Sequence, residues 1–316
     1  MWKYIQPQVH LAKATGNQAI LLKLLADFVE QNEAQPIQIL CRMWKDQSLV
    51  LTYEQIRSWI SNGDVSEDDM KLWRADYMMA LSEKMKPLWE KTASAPVVPD
   101  NPNFKWISNA TWEYRPQEAG MDRWMRDHLA KQVTKITDQQ RDAIKDILAW
   151  GKKNKVGADE LARYLRPVIG LNSPQAKANA NYYSRVKADL EQNHPRMKPE
   201  NIEKKARQKA RMYAEKQHRT RAQTIIRSEM SDIYNQGAYS AVEQAQQDGY
   251  LGEMYKRWVC ARTGKVCAAC AALDGVTIKM EESFVSGKFG KHDGPRLHPR
   301  CMCVLEFLTK EEVENK

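Results

Sequence analysis

Apolar residues recur at three- and four-residue intervals through most of the first 250 positions, then at alternate positions near the end of the chain. Ile20, Leu21, Leu24, Leu25 and Phe28 form one helical stripe. Thr52 with Gln55 makes a capping box ahead of Ile56, Trp59 and Ile60, and Ser66 with Asp69 makes another ahead of Met70, Trp73, Tyr77 and Leu81. Thr137 and Gln140 read as a third box before Ile144, Ile147 and Leu148, with Gly151 as the helix end. Residues 158–165 read as a shorter helix, Ser173-Pro174 as the start of the next, and 199–247 as one long helix or two. After Gly249 the period shortens. Tyr255, Arg257 and Val259, the segment 276–278 behind an Asp274-Gly275 turn, and Val304 to Leu308 read as strands.

Pro96, Pro99 and Pro102 interrupt this pattern and predict an extended linker. The following segment, with Phe104, Trp106, Trp112 and Tyr114, reads as extended and aromatic, its rings spent on packing. The expected organisation is a helical N-terminal module (1–91), a proline-rich linker (92–103), a helical middle region with a basic helix (104–248) and a Cys/His-rich metal-binding module (249–316). The fold class is mainly α, with a small C-terminal α/β module like a zinc ribbon.

Apolar runs are only a few residues long, far from the ~20 a bilayer crossing needs, so no membrane partner is expected. The start, Met1-Trp2-Lys3-Tyr4, lacks the layout of an export signal. Charge is divided unevenly. Residues 1–100 carry net −2 and the remainder net +11. Within 201–230, nine basic residues face three acidic ones. Such an excess favours polyanions, so non-specific DNA is an expected partner.

Cysteine usage narrows the chemistry. Cys41 stands alone, whereas Cys260, Cys267, Cys270, Cys301 and Cys303 fall within 44 residues. Cys267 and Cys270 form C-x2-C, and His298, Cys301 and Cys303 follow as H-x2-C-x-C after 27 intervening residues. Two such half-sites can close a tetrahedron around Zn2+ and staple a Gly-rich segment with little core of its own. Cys267, Cys270, His298 and Cys301 are the expected structural zinc ligands, with Cys303 a rival for the fourth place, because residues two apart on a strand share a face. Cys260 reads as a buried thiol. No Walker loop, G-x-G-x-x-G or G-x-S-x-G is present, and no catalytic or cofactor-binding residue is expected. A C-x2-C that opens no helix also speaks against a thiol oxidoreductase. Two alternatives remain: a nucleic-acid-binding zinc module, or a metal-dependent nuclease drawing on Asp274, His292 and Asp293.

Three segments carry a family resemblance. The first is Arg221-Ala222-Gln223-Thr224-Ile225-Ile226-Arg227-Ser228-Glu229 with Asn235 and Gly237. The second is Lys256-Arg257-Trp258 followed by Arg262-Thr263-Gly264-Lys265-Val266-Cys267-Ala268-Ala269-Cys270-Ala271-Ala272-Leu273-Asp274-Gly275. The third is Leu297-His298-Pro299-Arg300-Cys301-Met302-Cys303. In order and spacing they resemble the head-morphogenesis (minor head) proteins of tailed bacteriophages, the phage Mu F-like group. Ser228 stands where that group has Thr, Met302 where it has Arg, and Gly264-Lys265 lengthen the turn before Cys267. The resemblance implies a non-enzymatic minor capsid protein acting in capsid (procapsid) assembly. Its partners would be portal and capsid or scaffold proteins, and its place the head interior of the virion, after the host cytoplasm during assembly. Arg227 or Glu229 is further expected to pair with the Asp274-Gly275 turn.

Overall fold

The computed structural model describes residues 14–117, 120–262 and 266–315. The first four residues, read above for an export signal, and residues 263–265 of the second motif lie outside them. Helices α1 (Gly16–Asn32), α2 (Ala34–Val50), α3 (Tyr53–Asn62) and α4 (Glu67–Met78) lead through a π-helical turn to α5 (Lys86–Ser94). A 3-10 segment, Pro102–Asn109, precedes α6 (Met121–Lys153), α7 (Ala158–Val168), α8 (Ser173–Asn193) and α9 (Pro199–Gln247). Then come β1 (Met254–Val259), α10 (Ala268–Leu273), β2 (Thr277–Lys279), β3 (Phe284–Ser286), β4 (Gly290–His292), β5 (Val304–Thr309) and α11 (Lys310–Glu314). The chain is mainly α with a small C-terminal strand region, as its periodicity predicts. No described helix is long and apolar enough to cross a membrane.

Two compact units form, and they cut across the sequential division expected above. Among the described residues, those up to 34, 85–127 and those from 224 onward make one; 35–84 and 128–223 make the other. No unit boundary falls in the proline-rich stretch, which is a clamp and not an extended linker. Asn101 and Asn103 are buried there. Asn103 donates through Nδ2 to Leu305 O (2.9 Å) and accepts at Oδ1 from Phe307 N (2.9 Å). Asn103 thus satisfies part of the edge of β5 not used by β1, as a neighbouring strand would. The aromatic segment behind it is a 3-10 turn followed by irregular chain, and Trp106 packs on Trp112 with ring centroids 5.0 Å apart.

In the first unit a three-stranded antiparallel sheet runs β2-β1-β5, and β3 pairs with β4. Residues 224–247 of α9 and helices α1 and α5 pack in the same unit. Trp258 is its apolar centre, edge-on to Phe284 with centroids 5.3 Å apart. Phe28 of α1 lies 6.2 Å from Tyr234 of α9, and Gln18 donates to the buried Glu306 of β5 at 3.0 Å.

The second unit is wholly helical. Its core joins Trp59, Trp73, Ile144, Leu161, Leu165 and Ala206. The Thr52–Gln55 box forms as read. Thr137 and Gln140 start no helix: both lie inside α6, where Thr137 Oγ1 donates to Val133 O (3.0 Å) and Gln140 accepts from Tyr77 OH (3.0 Å). A hydroxyl that bonds back one turn cannot cap, and the burial of both side chains decided the outcome. Gly151 likewise continues α6; a Cβ there would meet Leu161 Cδ1 at 2.6 Å, so its glycine serves helix packing.

His218 of α9 sits in this unit, its Nε2 2.7 Å from Ile169 O. Burial, with help from Arg221, pushes its pKa down to about 4 against the opposing pull of Ile169 O and Glu215. The unfolded chain titrates near 6.5. Above that pH both states are neutral and the full stability is present. As pH falls the unfolded state takes the proton first, so stability drains away down to about pH 4, by roughly 3 kcal/mol in all. Thermal unfolding of His218→Gln from pH 7 to pH 4 should lack this part of the pH dependence. An identical slope in both proteins would remove His218 as its source.

Candidate metal centre

The register of β1 on β5 builds the site. Val259 pairs with Val304, so the next residue outward on one strand, Cys260, comes beside Cys303 on the other. Their sulfurs are 3.9 Å apart, and Ala261 N donates to Cys303 Sγ at 3.5 Å. Beyond the loop, Cys267 caps α10, its Sγ accepting from Cys270 N (3.3 Å). The C-x2-C therefore does open a helix, contrary to expectation. Cys270 is turned inward, and its Sγ lies 3.8 Å from that of Cys301.

All five expected ligands converge. Cys267, Cys270 and His298 form one group of mutually close donor atoms, and Cys270, Cys301 and Cys303 another. Cys260, Cys270, Cys301 and Cys303 are buried, whereas Cys267 and His298 are half-buried. Hydrogen bonding from Cys270, and next from His298, pulls the Cys267 pKa down to about 4 despite burial. The same bond drives the Cys270 thiol up. Burial disfavours charge on His298, but contacts to Cys267 and Cys301 outweigh it and hold its pKa at about 11.

The donor set suits a borderline-soft ion. Tetrahedral thiolates with bonds of ~2.3 Å stand about 3.8 Å apart, the Cys270–Cys301 separation found here. No carboxylate belongs to either donor group among the described residues. The three candidates for nuclease chemistry are engaged elsewhere. Asp274 accepts from Cys260 N (2.8 Å) and Arg262 (2.6 Å), His292 contacts Phe289 O (2.8 Å), and Asp293 accepts from Ser283 (2.7 Å).

Helix α9 holds the cluster from behind. Ser228 Oγ accepts from Arg300 N (2.9 Å), a residue at φ 61° that bends the His298–Cys301 turn. Asn235 donates to Cys303 O (3.1 Å) and accepts from Leu305 N (3.1 Å). Glu229 and Asp232 grip Arg296 at 2.9 and 2.8 Å. Arg227 pairs with Glu33 next to α1, so neither Arg227 nor Glu229 meets the Asp274-Gly275 turn as expected. That turn is held instead by Gly275 N on Trp258 O (2.8 Å), with Gly275 at φ 80°. Sequence reading missed Arg296 and Asp232. The available signal was the spacing of Glu229 and Asp232, three apart on one helix face.

The model of one protein family, described as phage Mu protein F like protein, matches residues 141–306. No curated protein and no solved structure matches the chain. The matched span takes in the α9 motif, the C-x2-C helix and the His298–Cys303 turn, which the structure binds into one centre. Covering just over half of the sequence, it shows that the chain belongs to the phage Mu protein F-like family.

Proposed function

We propose that this member of a phage head morphogenesis family is a structural, non-enzymatic minor head protein. In this reading it enters the procapsid in few copies, associates with the portal and the capsid or scaffold proteins, and contacts packaged DNA. One observation carries the non-enzymatic reading. Arg227, Ser228, Glu229 and Asn235 of the α9 motif are all bonded within their own unit, holding the loops of the metal centre. A zinc ion on Cys267, Cys270, His298 and Cys301, or with Cys303 in the fourth place, would have every position filled by protein. It would supply cohesion and leave no open place for water.

Virions of the encoding phage should contain the chain in far fewer copies than the major capsid protein, read by quantitative mass spectrometry. Its absence from virions and procapsids alike overturns the head reading. Nicking of plasmid DNA with added divalent metal, lost on His298→Ala or His292→Ala, would overturn the non-enzymatic part.

DNA contact draws support from the helical unit. A cleft of about 1000 Å³ there is lined by Arg42, Lys45, Arg163, Lys204, Arg207 and Arg211. Arg207 and Arg211 pair within α9 with Glu203 and Glu215. The other four have no carboxylate partner among the described residues. Each phosphate neutralised contributes about −0.9 to the slope of log affinity against log salt. Replacing Arg42, Lys45, Arg163 and Lys204 by Ala together should weaken duplex binding at least tenfold at low salt and flatten that slope by roughly three and a half units. An unchanged slope takes the contact away from this cleft.

A further inference from the structure

Six metal-type donors gather in the C-terminal centre, whereas one tetrahedral ion takes four. The two donor groups share a single member, Cys270. Cys260 stands outside both, yet its Sγ lies 3.9 Å from that of Cys303, and its thiol is fully buried. A one-ion centre gives Cys260 and one of Cys301 and Cys303 nothing to bind.

We propose that the centre is built for two zinc ions joined by shared thiolates, an inference that rests on the zinc reading above. The first ion takes Cys267 and His298, the second Cys303 and Cys260. Cys270 and Cys301 are the shared pair and complete four positions on each. Two separations fit this assignment: Cys270–Cys301 at 3.8 Å and Cys260–Cys303 at 3.9 Å, each an edge of a tetrahedron with sulfur bonds of ~2.3 Å. Cys260 closes the second set by turning about its Cα–Cβ bond toward Cys270. Charge favours the arrangement. Five thiolates around one divalent ion would bury a net −3, while two ions leave only −1. No electron moves; each donor that still carries a proton, thiol or imidazolium, releases it to solvent as it ligates.

Native mass spectrometry of the full chain, purified reduced and without chelator, counts the ions. Two zinc ions per wild-type chain are expected, one in Cys260→Ser, and two in Cys41→Ser, whose thiol lies in the other unit. One ion in wild type, unchanged in Cys260→Ser, overturns the two-ion centre and leaves the single staple standing. No ion overturns both readings. Should Cys260→Ser fail to fold, Co2+ added to the metal-free wild type decides. Shared thiolates couple the two cobalt spins, so the paramagnetic signal per cobalt falls as the second equivalent binds. A signal that doubles overturns the sharing.

Discussion

Replacing Cys267 and Cys301 together by Ser is expected to abolish metal binding and to unfold the centre around β1, α10 and β5. The two sulfurs come from segments 34 positions apart and flank Cys270, so the double variant removes one donor from each half-site. Structural zinc contributes apparent binding energies of about 10 to 16 kcal/mol in small modules. That matches or exceeds the 5 to 15 kcal/mol by which whole domains are stable. The segment between the half-sites holds only the three-residue strands β2, β3 and β4, which cannot replace such a tie. The near-ultraviolet signal of Trp258 should collapse, and proteolysis should cut first between residues 276 and 303. Helix content should fall little, because the all-helical unit keeps its own core. A strong chelator on the reduced wild type should reproduce the result. A variant that keeps the wild-type melting curve and protease pattern would show that the thiols merely pack.

The helices were legible because their signals are local. A Thr52–Gln55 box, a stripe such as Leu21, Leu24, Leu25 and Phe28, or the breaker-free run 199–247 each needs only neighbours within a few turns. The Cys/His cluster was legible for a similar reason: C-x2-C and H-x2-C-x-C are short, and each half is shaped by its own turn. What escaped reading depends on partners far along the chain. Arg227 meets Glu33 across 194 positions, and Asn103 reaches β5 across more than 200. The prolines at 96, 99 and 102 suggested an extended linker and gave no sign that buried Asn103 fastens this stretch to a sheet edge. Thr137 and Gln140 have the letters of a capping box, yet an uninterrupted α6 buries both. Asp274 looked like a turn residue and also proves to be the acceptor that ties Cys260 N and Arg262 together.

Gly237→Ala should destabilise the first unit by about 2 to 4 kcal/mol, although alanine is the better helix former. The site lies in α9, two residues beyond Asn235. A Cβ built there would come within 2.7 Å of the Ala93 carbonyl carbon and 2.8 Å of its Cα, and nearer still to its carbonyl oxygen. The obstacle is the backbone of α5, not a side chain that can swing away, and Ala93 itself is fully buried. Relief requires the two helices to separate, which opens space around Trp89 and loosens the grip of Asn235 on Cys303 and Leu305. Overpacking of this kind costs about 1 to 3 kcal/mol and more when backbone is in the way. The gain in helix propensity from Gly to Ala returns at most about 1 kcal/mol. Because Asn235 fixes the strand that carries Cys303, the damage should also reach the metal centre, so zinc should leave Gly237→Ala at a lower chelator concentration than wild type. The comparison is Gly249→Ala, past the end of α9, where a Cβ meets nothing within 4 Å but φ is 78°. That variant should lose only about 1 kcal/mol, from backbone strain, and hold its metal as wild type does. If Gly237→Ala instead melts higher than wild type, then α5 and α9 do not approach as closely as described, and the glycine of the α9 motif needs another explanation.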